Sequence, residues 1–375
     1  MNGVVRSTLA LVLLAALSAA CSGGSAGGPS SGAASPAAAA SSAQAPGLGT
    51  STSPSVSTST STSASPSPGS EPPAVTPAEA RQAFHAFLAT ADVLASAQAD
   101  QWALSLTRDG QRPISIAEIH ARGGKPPPRY TWDSQKVWVP RQRSGKAAQW
   151  FAATAQRRSP SGQVRTAVMT FVRTDPRGLW QLGFESLLSP GQKPPDVALD
   201  ADGYALSLDS RDSTVAISPS LFGPLHATTA EDSKSYASSL IAPGPLTTDI
   251  ADEIDKDKEE LEHNKCLAYD SIFAFASNFP VFALRTDDGG GLVLYTLIRT
   301  TTWSTQNGPK CSQGQPVPIP AAARWLLHKT TLLFRRQIIE TQQYVGAVPP
   351  KASTAPAQVI GYDGTITGAA EAKSP

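Results

Sequence analysis

Asp133 stands in the run Tyr130-Thr131-Trp132-Asp133, where a carboxylate among aromatic side chains can be desolvated and poised as a general base. The same residues suit a turn carboxylate beside aromatic core residues, and the sequence leaves both readings open. Asp270 and the adjacent Tyr269 are further candidates; Asp270 stands near Cys266, and its other reading is a cap on residues 271–275. Tyr130, Asp133 and Asp270 are therefore the candidate pocket residues. His120 closes a helical segment, where the partial negative charge of the helix end favours a cation, and His328 follows Trp325-Leu326-Leu327 ahead of a strand. His263 and Cys266, with Cys311, offer three metal ligands, but a closed zinc site needs a fourth and none stands nearby. Gly28-Pro29-Ser30-Ser31-Gly32 has the spacing of a nucleophile elbow without the strand and helix that such an elbow requires. No glycine-rich phosphate loop is present. The expectation is a non-enzymatic chain with no metal and no cofactor.

The N-terminus points to export. Residues 1–20 hold a single charge, Arg6, then an apolar stretch from Leu9 to Leu17 and small residues before Cys21, which is signal-peptide anatomy. Leu17-Ser18-Ala19-Ala20-Cys21 resembles a bacterial lipobox, although Ser18 holds the place where a large aliphatic residue usually sits. That resemblance implies cleavage before Cys21, a diacylglycerol on its thiol, and an extracytoplasmic, lipid-anchored protein. Residues 21–75 are almost wholly Ser, Thr, Ala, Gly and Pro with Glu71 the single charge, a composition with nothing to bury against its ordering entropy. They read as a disordered tether. With Cys21 lipidated and the chain in an oxidising compartment, Cys266 and Cys311 are expected to pair, with the metal reading as the alternative.

The charge is balanced, with 31 Lys and Arg against 30 Asp and Glu, so no nucleic-acid partner is implied. Its distribution is not even. Residues 122–177 hold 12 basic side chains against Asp133 and Asp175, and residues 196–260 hold 14 acidic against 4 basic. Arg141, Arg143, Lys146, Arg157 and Arg158 are a candidate patch for anionic wall polymer or phospholipid head groups, or for an envelope protein. The alternatives are docking of the two charged regions on each other and plain solvated faces.

Two runs of elements follow the tether. Thr76-Pro77-Ala78-Glu79 is a capping box with proline at the first helical position, and Phe84, Phe87, Leu88 and Ala91 continue it at helical spacing. A short helix over 116–121 ends at Gly123-Gly124, and strands are predicted over 130–139, 148–157, 164–173 and 179–188. Trp180, Leu182 and Phe184 alternate with Gln181 and Glu185, which gives the last strand one wet and one dry face. In the second run Leu246, Ile250, Ile254 and Leu261 stripe an acidic helix, followed by a hairpin over 282–286 and 292–303 and a long strand over 331–345. Residues 292–298 are apolar on both faces, which places them in the middle of a sheet. Residues 150–175 match 282–300 in character, and 179–204 match 333–362, so a tandem duplication is expected, divided at 76–203 and 204–375.

Helices ahead of a bent antiparallel sheet resemble the NTF2-like cone. The whole arrangement of lipobox, tether and two such modules resembles an uncharacterised family of actinobacterial cell-surface lipoproteins. The implied fold is α+β, with two NTF2-like cone modules in which helices pack on a curved antiparallel sheet. The implied role is a binding or interaction component of the cell envelope; the alternative is a pocket that binds a small apolar ligand or acts as an isomerase or cyclase.

Overall fold

The computed structural model describes residues 73–142, 148–306, 311, 316–329, 331–332 and 334–372. The signal segment, Cys21, nearly all of the tether, Arg143 and Lys146 lie outside the described residues. The chain enters the fold through the capping box: Thr76 Oγ1 accepts from the Glu79 backbone N–H at 3.1 Å, and α1 (Pro77–Ser96) follows. Phe84 and Phe87 pack on the Phe171 ring, with centroids 5.5 and 4.8 Å away. A short α2 (Asp100–Ser105) leads to α3 (Gln111–Arg122), which stops where Gly123 takes a left-handed φ of 57°. Ile114 and Ala117 are its buried apolar residues.

Four strands then form an antiparallel meander: β1 (Thr131–Trp138), β2 (Gln149–Arg158), β3 (Val164–Arg173) and β4 (Gln181–Leu188). The second half opens with α4 (Pro219–Glu231) and the acidic α5 (Thr248–Lys265). It continues with β5 (Leu267–Phe275), the short β6 (Phe282–Arg285) and β7 (Gly291–Thr305). A small pair, β8 (Val317–Pro318) and β9 (Thr331–Leu332), flanks α6 (Arg324–Leu327) before the long hairpin of β10 (Arg335–Val348) and β11 (Gln358–Ala372). Cys266, at the left-handed end of α5, is disulfide-bonded to Cys311. No helix of the described residues is long and apolar enough to cross a membrane.

The expected pair of NTF2-like cones is not what forms. The strands make one open antiparallel sheet of nine, in the order β1-β2-β3-β4-β11-β10-β7-β5, with β6 on β7. Neither half closes a cone of its own, because the last strand of each finds its partner in the other: Gly361 pairs with Leu188 and Tyr362 with Leu187. Each half contributes four strands to the main path of the sheet, β1 to β4 from the first and β5, β7, β10 and β11 from the second. The last strand of the second half is β11, whose small residues the sequence pattern did not announce as a strand. Three apolar clusters hold the molecule. One lies under α1, around Phe84, Phe151 and Phe171; one lies under α4 and α5, around Phe222, Tyr295 and Tyr344; a third, including Val168, Leu284, Leu294 and Val345, draws on both halves.

Within the second cluster His226 is fully buried. Its Nδ1 accepts from the Tyr295 hydroxyl at 2.8 Å and its Nε2–H donates to the Leu246 carbonyl at 2.6 Å, a pattern that only the neutral imidazole satisfies. Burial lowers its pKa from 6.5 to about 4.

Candidate functional site

The seam between β4 and β11 sets up a site that combines space with charge. Its ladder holds just two residue pairs, and past Leu187 the two strands part. The exposed edge of β4 is satisfied by other means. Leu182 exchanges backbone bonds with Leu106 and Arg108, at 2.8 and 3.0 Å, so that the α2–α3 connection pairs with the strand. The fully buried Gln343, from β10, reaches across: its Oε1 accepts from Glu185 N–H at 3.0 Å and its Nε2 donates to the Gly183 carbonyl at 3.3 Å. Helices α1 to α3 cover this part of the sheet without filling it. They leave a cavity of about 520 Å³, within the range that small-molecule sites occupy.

The cavity has an apolar wall and a charged end. Phe87, Leu88, Leu104, Ile119, Met169 and Leu182 are among its apolar lining residues. Gln111, Ser115, Glu118 and Arg122 also line it; they stand at positions i, i+4, i+7 and i+11 of α3 and so share one face. Glu185 from β4, Asp363 from β11 and Arg157 from β2 complete the polar end. Arg157 Nη1 donates to Glu185 Oε1 at 3.0 Å, and its guanidinium carbon lies 4.4 Å from the centre of the Tyr130 ring. At the rim Arg129 holds Asp92 through two bonds of 2.8 and 2.6 Å, and Arg122 holds Asp100 at 2.7 Å.

Three carboxyl groups are displaced upward. Glu118 is exposed by surface area and lines the cavity. Burial first, then the nearby charges of Asp363 and Glu185, push its pKa from 4.5 to about 7. Burial also raises Glu185, against the pull of Arg157, and raises Asp363, against Arg157 and a backbone bond from Gly364. Tyr130 is raised by burial as well. Among the described residues no group of three His, Cys, Asp or Glu side chains is close enough to hold a metal ion; the three carboxylates face one space without converging on one point.

Of the residues singled out from sequence, the structure brings Tyr130 to this cavity. Asp133 is exposed on β1. Asp270 is exposed on β5, with Lys258 Nζ at 3.7 Å, and neither carboxylate lines the cavity. His120 stacks on the Trp325 ring, centroids 4.2 Å apart, and ties α3 to α6; His328 ends α6 in a left-handed conformation. Of the candidate basic patch, Arg141, Arg157 and Arg158 are among the described residues. Arg141 is bonded to Asp200 and Asp202 at 2.8 and 2.6 Å and lies over the Tyr204 ring. Arg157 is turned into the cavity, and Arg158 is exposed. Lys136 to Asp196, at 3.8 Å, is a further link between the basic and acidic stretches. Sequence reasoning missed Gln111, Glu118, Glu185 and Asp363. The signal for the first two was a polar stripe at helical spacing, Gln111, Ser115, Glu118 and Arg122. Glu185 was legible as part of the polar face of β4, and that residue lines the cavity.

Residues 71–371 match a family model described as a domain of unknown function, DUF8094. The chain belongs to that family. The match runs from the end of the tether through β11, so the DUF8094 domain takes in both halves of the sheet and the cavity between helices and strands. An uncharacterized lipoprotein of Streptomyces coelicolor, SCO6871, is 26% identical over 243 residues, covering 61% of this chain and 66% of its own length. The chain thus spans just under two thirds of the curated relative it matches. No solved structure matches.

Proposed function

We propose that this DUF8094 protein is a lipid-anchored component of the cell envelope, on the extracytoplasmic face, that works by binding a small molecule with an apolar body. Anchoring rests on the lipobox-like run ending at Cys21 and on the likeness to a protein described as a lipoprotein. Binding rests on one observation: a cavity of about 520 Å³ between α1–α3 and the sheet, apolar along its wall and ionisable at one end. A site of that volume suits a ligand rather than trapped water alone, since water needs polar partners that the wall does not supply. The reading is non-enzymatic. Its competitor, a proton transfer through Glu118, draws on the pKa of about 7, where an acid or base works best near neutral pH.

The test of binding is a titration with Nile red, a neutral apolar fluorophore, against the protein and against Ala103→Trp, which places an indole in the lining. Saturable binding by the first and its loss in the second support the proposal. Equal binding by both, or none by either, overturns it. The anchoring half is tested separately: Cys21→Ser should move the protein from the membrane to the soluble fraction.

A further inference from the structure

We propose that the ligand is a cationic amphiphile, its ammonium or amidinium head seated between Glu118 and Asp363 and its apolar body laid along Phe87, Leu88, Leu104 and Met169. The inference rests on the binding role proposed above and adds the chemistry of the head group. The cavity lining carries five carboxylates, Asp92, Asp100, Glu118, Glu185 and Asp363, against three guanidiniums, Arg122, Arg129 and Arg157. Each guanidinium is already committed: Arg122 to Asp100, Arg129 to Asp92 and Arg157 to Glu185. Glu118 and Asp363 are left with no ion pair among the described residues. The excess is two negative charges when all are ionised.

A second observation points the same way. Gln111 is 6% exposed, its Nε2 donates to Ser115 Oγ at 3.4 Å, and its Oε1 is buried with no hydrogen-bond partner. It lines the cavity on the same face of α3 as Glu118. With Glu118 and Asp363 ionised, this end offers an amide oxygen and two carboxylates as acceptors that no side-chain donor fills. A buried acceptor without a donor is costly, and what it calls for is an N–H group. Positive charge on that group adds attraction to two carboxylates. An anionic head would meet the excess negative charge, and a hydroxyl would offer one donor without charge. Arg157 does not reverse this preference, because Glu185 and the Tyr130 ring face its guanidinium.

The test displaces bound Nile red from the full chain with decylamine, decanol and decanoate below their micelle concentrations, three ligands that share a chain and differ in the head. Decylamine should compete at least about tenfold more tightly than decanol, the size of one charge-assisted hydrogen bond, with decanoate weakest. In Glu118→Gln, and separately in Asp363→Asn, the ratio of decylamine to decanol should fall toward one. Decanol or decanoate matching decylamine in the wild type overturns the assignment of the head group and leaves apolar binding standing, as does an unchanged ratio in both variants. Failure of Nile red to bind the wild type overturns the binding role and this inference with it.

Discussion

Acidification should weaken the fold through His226, and the size of the effect follows from its surroundings. The imidazole is fully buried against Tyr295 and Tyr344, with ring centroids 5.9 and 4.6 Å away. It donates to Leu246 and accepts from Tyr295. Protonation would turn the Tyr295 hydroxyl from donor to acceptor, leaving its proton without this partner, and would place a charge in the core. The pKa is lowered from 6.5 to about 4 by burial, so the unfolded chain binds a proton in that interval that the folded chain refuses. Stability from this group is complete above pH 6.5 and is lost as pH falls through 4, a change of about 3 kcal/mol. Glu118, Glu185 and Asp363, raised by burial, work in the opposite sense over part of the same range, so the total curve does not isolate the histidine. The variant His226→Gln does: a glutamine amide can donate to Leu246 and accept from Tyr295 without titrating. Urea unfolding followed by tryptophan fluorescence should show the gap between wild type and variant moving by about 3 kcal/mol in favour of the variant from pH 6.5 to pH 4. Parallel curves for the two proteins would refute the reasoning.

The seam, the disulfide and the cavity acid give three further expectations. Gln343→Ala removes the side chain that pairs Glu185 N–H and Gly183 C=O across the parted strands; it should cost about 2–4 kcal/mol in urea unfolding, and a loss below about 1 would mean the bridge is dispensable. Replacing Cys266 and Cys311 by serine opens a loop of 45 residues and should lower stability by about 4 kcal/mol on the chain-entropy estimate; an unchanged unfolding midpoint would contradict it. Glu118 is raised from 4.5 to about 7, so its contribution is full below pH 4.5 and is lost as pH rises through 7. Glu118→Gln should therefore melt above the wild type at alkaline pH and lose that advantage in acid, and an advantage constant with pH would contradict the assigned pKa.

How much the sequence discloses differs between elements for physical reasons. The Thr76 capping box sets the start of α1 by a local hydrogen bond, and Val164–Arg173 is a strand in the structure over the same residues that its pattern predicts. The apolar double face of 292–298 becomes β7, flanked by β10 on one side and by β5 and β6 on the other. Residues 358–372 were harder, because β11 is rich in glycine, alanine and threonine and draws its strand character from the full ladder with β10. Missing that strand hid Asp363 and the partner of β4. Two separate cones were then the natural expectation, since the pairing that merges the halves is long-range and leaves no local trace. Asp133 and Asp270 drew attention through aromatic neighbours, yet strand alternation turns both to solvent. Glu118, Glu185 and Asp363 come from three distant elements, α3, β4 and β11, and no spacing in the sequence joins them.

The central claim, that the cavity above the β4–β11 seam holds an apolar ligand, is tested most directly by a crystal structure of the protein grown with saturating Nile red. The account expects the fluorophore between α1–α3 and the sheet, in contact with Phe87, Leu104 and Met169. A cavity occupied by water or closed by its own side chains, with the dye elsewhere or absent, would contradict it.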